Sequence, residues 1–90
     1  MAAETASDDW RRWRDDDGEH LDLRGLQPPQ PLVKVLRLLP ELQAAGCSLL
    51  LHLDRDPVML YPELEDLGWS VEPLPSSEGE VRLQLLPPVP

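Results

Sequence analysis

The sequence predicts an α/β protein of the α+β type: a two-layer sandwich with the element order β-α-β-α-β-β and a mixed four-stranded sheet. Four short segments alternate apolar and polar residues, which is the period of a strand with one buried face. Two further segments repeat apolar residues at helical spacing and stop near a glycine. Because two helices are too few to cover both faces of such a sheet, we expect both on one face.

The first strand and the first helix come at the start of the predicted folded region. The segment HLDLRG (20–25) alternates and predicts the first strand. Pro31 suits the first turn of the following helix, where a missing amide proton costs no hydrogen bond. We expect Pro40 and Gly46 to bring this helix to its end. Its apolar stripe consists of Leu32, Val35, Leu36 and Leu39.

The second strand and the second helix follow directly. The segment CSLLLHLD (47–54) predicts a strand, and a right-handed crossover makes it parallel to the first. Asp56 followed by Pro57 predicts the start of the second helix, since a capping side chain and a proline are typical of that position. Gly68 predicts its end. The apolar stripe between them consists of Leu60, Tyr61, Leu64 and Leu67.

Two more strands complete the predicted sheet. They are WSVEPL (69–74) and EVRLQLL (80–86), joined by a turn of hairpin length, PSSEG (75–79). Trp69 is expected to be buried against the second helix. Structural roles are therefore predicted for Gly25, Pro31, Asp56, Pro57, Gly68 and Trp69.

Two terminal segments flank the predicted domain, which spans residues 20–86. Residues 1–19 carry many acids and little aliphatic surface, so they predict a disordered leader that cannot offset its loss of backbone entropy. An alternative is that Trp10 and Trp13 lie on one side of a short helix that docks on the domain or on a partner. Residues 87–90, PPVP, predict a flexible end.

The composition excludes several classes of partner and site. The chain has 17 Asp and Glu against 8 Lys and Arg, a formal net charge of −9. That charge argues against nonspecific binding to nucleic acid or to an anionic membrane. The lone Cys47 excludes an internal disulfide and suits a reducing compartment. We expect a cytoplasmic protein, a monomer or weak dimer, with no membrane or nucleic-acid partner.

Strand alternation places a set of polar residues on the uncovered sheet face, away from the helices. This face is either a solvated surface or a docking surface. We expect no metal site, with His52 and Asp54 as weak candidates, because the pattern offers no further committed ligand. Cys47 is expected to be a small apolar filler, since its sequence neighbours supply no positive charge. The predicted outer-face residues are His20, Asp22, Arg24, His52, Asp54, Glu72, Arg82 and Gln84.

Two segments carry a resemblance to a known family. LDLRGLQPPQPLVKVLRLL (21–39) and LLLHLDRDPVMLYPELEDLGWSVE (49–72) resemble the domain-of-unknown-function family 2249, in the superfamily of TusA and its SirA-like relatives. The resemblance implies a SirA-like fold. Sulfur carriers of the TusA type hold a persulfide on the cysteine of a CPxP motif, whereas Pro28 stands at the matching position here. The resemblance therefore implies a relative without the sulfur-carrier nucleophile.

The function expected from these observations is that of a non-enzymatic protein-interaction module without a cofactor. The resemblance also implies a role accessory to redox or sulfur and nitrogen metabolism. TusA-like proteins present their cysteine to partner enzymes from the corresponding loop, so we expect an unidentified protein partner there. One alternative is a small-ligand or metal-binding redox accessory protein that uses His20, His52 and Asp54, and another is thiol chemistry at Cys47. The expected partner-binding residues are Arg24, Gln27, Pro28, Pro29, Asp54 and Arg55.

Overall fold

In the described part of the chain, five strands form one mixed sheet and two helices connect them. The computed structural model describes residues 12–27 and 30–89. The strands are β1 (Arg12–Asp15), β2 (Gly18–Asp22), β3 (Leu49–Leu53), β4 (Ser70–Leu74) and β5 (Val81–Leu86), and the helices are α1 (Gln30–Ala45) and α2 (Leu60–Asp66). The strand order in space is β1-β2-β3-β5-β4. Strands β2 and β3 are parallel, and the other neighbours are antiparallel. The predicted α+β class is confirmed, with one strand more than expected.

The additional strand, β1, lies in the segment that the sequence predicts to be a disordered leader. It pairs antiparallel with β2, Trp13 opposite His20 and Arg14 opposite Glu19. For residues 12–19 the predicted leader is therefore wrong, and Trp13 lies in a strand rather than a helix. A low content of aliphatic residues does not predict disorder here, because a backbone hydrogen-bond ladder and polar side chains hold β1 against β2. Residues 1–11, including Trp10, lie outside the described residues.

Leucine side chains on the helix-facing side of the sheet form the core. Leu49, Leu51 and Leu85 are fully buried there, and Leu21 and Leu83 are nearly so. The predicted alternation of the strands is confirmed by this burial pattern. Trp69, which exposes 5 %, packs in the same cluster as predicted. Its buried indole Nε1 has no hydrogen-bond partner among the described residues.

Both helices end at a glycine with positive φ, Gly46 at +69° and Gly68 at +82°. At the end of α2, the Trp69 amide donates to the Leu64 carbonyl at 2.9 Å and the Gly68 amide to Glu65 at 3.1 Å. Such bonds satisfy the last carbonyls of a helix and need a left-handed residue, which favours glycine. The two predicted ends are confirmed. Pro40, however, lies inside α1 and does not contribute to its end.

The start of α2 differs from its prediction. The helix begins at Leu60, and Asp56 and Pro57 lie in the preceding turn, where the Leu60 amide donates to the Pro57 carbonyl at 2.9 Å. The Asp56 carboxylate does not cap the helix. It accepts a hydrogen bond from the Tyr61 hydroxyl at 2.5 Å. Burial and this hydrogen bond raise the pKa of Tyr61 to about 12. No helix of the described residues is long and apolar enough to cross a bilayer.

Candidate functional site

An apolar groove opens at the carboxyl ends of the parallel strands β2 and β3. One wall is the first turns of α1, and the other is the loop that leads from β3 to α2. The groove has a volume of ≈ 330 Å³, and it lies where ligands commonly bind in sheets with parallel strands. Among its lining residues are Leu23, Leu26, Leu32, Val35, Leu53 and Leu60.

The rim of the groove combines apolar and charged side chains. Val58 and Met59 line it and expose 63 % and 72 % of their surface, so two large apolar side chains stand in water beside an apolar depression. Together with the apolar lining of the groove they form one contiguous apolar patch, and exposed apolar patches often mark interaction sites. Asp54, Arg55 and Asp56 supply the charged part of the rim.

One hydrogen bond joins the two loops at this end of the sheet. The Gly25 amide donates to the Asp54 carboxylate at 3.0 Å. Gly25 has φ +83°, a conformation that favours glycine, so its predicted structural role has a physical basis. Arg55 lies 3.8 Å from Asp54 and is largely exposed. At the end of β3, the Asp54 carboxylate therefore accepts a backbone hydrogen bond, and the exposed cation Arg55 lies beside it.

The structure divides the predicted partner-binding residues. Asp54 and Arg55 line the groove. Gln27 is exposed, and its carbonyl accepts the amide of Gln30 at 2.9 Å. Arg24 instead points to the outer face, where its guanidinium donates to both carboxylate oxygens of Asp22 at 2.9 Å. Pro28 and Pro29 lie outside the described residues.

Sequence reasoning missed the two exposed residues of the groove rim. Val58 and Met59 follow Asp56 and Pro57, which the sequence predicts to be the start of the second helix. The available signal was that they lie just before the apolar stripe of that helix. A pair of apolar residues at the exposed start of a helix has no core to join.

The rings of Trp13, His20 and His52 form a cluster on the outer face of the sheet. The indole of Trp13 stacks on His20 with centroids 4.8 Å apart and an interplanar angle of 10°. It also lies 5.2 Å from the ring of His52. The predicted placement of both histidines on this face is confirmed, but His20 is buried because Trp13 covers it.

The two imidazoles of the cluster are joined by a hydrogen bond. His20 Nδ1 and His52 Nε2 are 2.9 Å apart, and the ring centroids are 5.2 Å apart. The rings therefore meet edge to edge. Two N–H groups cannot face each other at this distance, so one of these nitrogens donates and the other accepts. Burial, and then the proximity of His20, lowers the pKa of His52.

Carboxylates flank the imidazole pair at both ends. Asp15 Oδ1 lies 2.9 Å from His20 Nε2, and Glu80 Oε2 lies 4.0 Å from His52 Nδ1. The Asp17 amide also donates to Asp15, and this bond and the one with His20 lower the pKa of Asp15. The ring nitrogens of His52 face His20 and Glu80, whereas Asp54 binds Gly25. His52 and Asp54, the two weak metal candidates, thus have different partners.

On the helix-facing side of β1, two arginines bind one buried acid. Arg12 and Arg14 both donate to Glu19, Arg14 at 3.0 Å, and Arg12 also reaches Glu41 of α1 at 2.6 Å. Burial raises the pKa of Glu19, but its hydrogen bonds with the two arginines outweigh burial and lower it. Arg14 also lies 3.8 Å from the Cys47 thiol. The sequence neighbours of Cys47 supply no positive charge, but β1 brings one from a distant part of the chain.

Comparisons with known proteins agree with this architecture. The chain is similar in structure to a SirA-like protein from Desulfitobacterium hafniense, with a TM-score of 0.67 and 24 % identity over 78 % of this chain and 97 % of that one. At that identity the likeness shows the fold alone, which is therefore SirA-like. A comparison with curated proteins gives no significant match. The model of a family described as an uncharacterized conserved protein (DUF2249) matches residues 20–86, most of the chain. The chain belongs to the DUF2249 family.

Proposed function

We propose that this chain is a non-enzymatic protein-interaction module that binds its partner in the groove at the carboxyl ends of β2 and β3. The observation that carries this proposal is the pair of exposed apolar residues, Val58 and Met59, beside an apolar depression. Covering such side chains with a partner removes apolar surface from water, which is the main driving force of most protein association.

The size and lining of the groove suit side chains of a partner protein. At ≈ 330 Å³ the groove accommodates one or two large apolar side chains. Buried apolar anchors of this kind contribute most of the affinity of many interfaces. The partner contributes an apolar anchor, a leucine, methionine or aromatic residue, that inserts between α1 and the loop before α2.

The charge of the chain favours basic residues on either side of that anchor. The net charge is −9, and Asp54 and Asp56 stand at the rim. Opposite charges around an interface accelerate association and select among partners. Arg55 is the exception at this rim, so it disfavours a basic partner locally.

The sequence supports the proposal that this chain has no enzymatic role. Pro28 stands where sulfur carriers of the TusA type hold their cysteine, and proline has no nucleophile. Cys47 follows the opposite end of α1 and does not line the groove. Recognition, rather than sulfur transfer, is the activity that these residues support.

Selection from a displayed peptide library tests the proposal with the partner still unidentified. We expect the selected peptides to contain an apolar residue flanked by lysine or arginine. Met59→Glu should weaken their binding at least tenfold, since it places a charge at the apolar rim. The matched control is Val33→Glu, which puts the same charge on an exposed valine of α1 that does not line the groove. It should leave binding unchanged.

A charge reversal at the rim shows how much of the peptide affinity comes from charge rather than from apolar contact. Arg55→Glu should strengthen binding of basic peptides severalfold, because it removes the repulsive charge. Peptides that bind Met59→Glu as tightly as the unmodified protein would contradict the groove. Selected peptides without basic residues, and indifferent to Arg55→Glu, would contradict the proposed basic partner.

A further inference from the structure

The turn between β1 and β2 brings two carboxylates and an imidazole together. Asp15, Asp17 and His20 each offer a ligand atom, and these atoms lie within 4.8 Å of one another. The turn is at the amino end of β2, whereas the groove is at its carboxyl end. Whatever this turn binds is therefore separate from the partner proposed above.

The imidazole distinguishes this turn from an ordinary run of exposed acids. The His20 side chain exposes only 9 % of its surface, and its Nε2 is directed at Asp15, 2.9 Å away. Trp13 stacks on one face of the ring, and His52 holds Nδ1 by a hydrogen bond of 2.9 Å. The nitrogen is thus fixed in position before any ligand arrives, which lowers the entropic cost of binding.

The contacts of His20 are those of a metal-binding histidine. A histidine that ligates a metal through one ring nitrogen nearly always uses the other in a hydrogen bond, which sets the ring orientation and the tautomer. Here Nε2 faces the carboxylates and Nδ1 faces His52. His52 in turn lies close to Glu80, so the chain of contacts continues away from the site.

We propose that this turn binds a divalent transition-metal ion through His20 Nε2 and the carboxylates of Asp15 and Asp17. The ion takes the place of the proton between His20 and Asp15. His20 then carries its proton on Nδ1 and donates it to His52 Nε2. Solvent supplies the remaining ligands, and His52 is a positioning residue.

The distances and the ligand types agree with a transition metal. Neighbouring ligands around an ion with bonds of about 2.1 Å are about 3.0–3.4 Å apart, close to the 2.9 Å between Asp15 and His20. Asp17 is exposed, and the ligand atoms of all three residues lie within 4.8 Å of one another, so binding requires a shift of the Asp17 side chain. One nitrogen among oxygen ligands favours zinc, cobalt or nickel over magnesium and calcium, which prefer oxygen alone.

Titration calorimetry with Zn²⁺ on the full chain tests this site, and the sequence offers a matched control. Asp17→Asn removes one ligand and should weaken Zn²⁺ binding at least tenfold. Asp16→Asn changes the neighbouring acid, which is outside the group, and should change the affinity by less than twofold. His52→Gln should weaken binding about tenfold to a hundredfold, as expected for loss of a group that orients a ligand. Cys47→Ser should have no effect, which excludes the thiol as the ligand.

Paramagnetic Co²⁺ locates the ion independently of affinity. Its addition should broaden the amide resonances of residues 15–20 and leave those of α2 unchanged. The proposal is overturned if Asp16→Asn weakens binding as much as Asp17→Asn, or if Mg²⁺ binds as tightly as Zn²⁺. Either result would mean diffuse attraction by the acids. An absence of local broadening in the unmodified protein would also overturn the proposal. None of these three outcomes bears on the groove.

Discussion

The two faces of the sheet are built from alternating residues of the same strands, yet different forces hold them. The helix-facing side is a continuous cluster of leucines, several of them fully buried. The outer face carries charged groups, the indole of Trp13 stacked on His20, and the hydrogen-bonded rings of His20 and His52. One side is stabilised by removal of apolar surface from water, and the other by specific polar geometry.

Strand β1 contributes side chains to both faces of the sheet. On the helix-facing side Arg12 and Arg14 bind Glu19, and on the outer side Trp13 and Asp15 contact His20. A segment can therefore join a sheet with little aliphatic surface of its own. Such a segment depends on a few contacts and should be sensitive to their loss, whereas the leucine core should tolerate only apolar substitutions.

The largest effect is expected on the helix-facing side, at Trp69. Trp69→Ala should lower the free energy of unfolding by about 3–5 kcal/mol, because it removes a large buried side chain and leaves a cavity. Urea denaturation followed by circular dichroism measures the loss. A change below about 1 kcal/mol would mean that this face is not closely packed around the indole.

An intermediate effect is expected at Glu19, on the helix-facing side of β2 where it meets β1. Glu19→Gln should cost about 1–2 kcal/mol at neutral pH, since it leaves two arginines without their acid, and their exposure reduces the loss. The pKa of Glu19 is lowered in the folded chain. The contribution of Glu19 to stability is therefore complete above the unfolded pKa of about 4.3. It is lost as the pH falls through the lower pKa of the folded chain.

Denaturation curves of both proteins between neutral and acid pH check this sign. The difference in stability between the unmodified protein and Glu19→Gln should narrow as the pH falls through the acid range. A difference that stays constant with pH would show that the arginines do not stabilise the ionised form of this acid.

The smallest effect is expected on the outer face, at Trp13. Trp13 exposes 39 % of its surface, and Trp13→Ala should cost about 1 kcal/mol through loss of ring stacking. Amide hydrogen exchange should show faster exchange in β1 and β2 and unchanged exchange in β5. A cost as large as that of Trp69→Ala would remove the distinction between the two faces.

Much of the architecture could be predicted from local patterns. Alternation in residues 49–53 and 81–86 indicated which side chains are buried, and Gly46 and Gly68 indicated where the helices end. These signals are local, since the period of a strand and the conformational freedom of glycine act within a few residues. The start of α2 was predicted wrongly, because Asp56 has a competing partner, Tyr61, that the local pattern does not show.

The candidate sites depended on contacts between distant parts of the chain. The sequence predicted that Asp54 and Arg55 lie at the end of β3. It did not predict the groove, which is lined by α1 and by the loop between β3 and α2. The bond between His20 and His52 spans 32 positions, and that between Arg14 and Cys47 spans 33. No pattern in the sequence reports such distances.

The sequence by itself determined the fold class, the buried side of β3 and β5, and the end of each helix at a glycine. These follow from periodicity and from backbone preferences that each residue carries with it. Only the tertiary structure decided that residues 12–15 form a fifth strand, that Trp13 buries His20 and that an apolar groove opens beside Met59. The physical reason is that pairing at a sheet edge, ring stacking and cavities depend on which surfaces meet, and the chain specifies that only when it is folded.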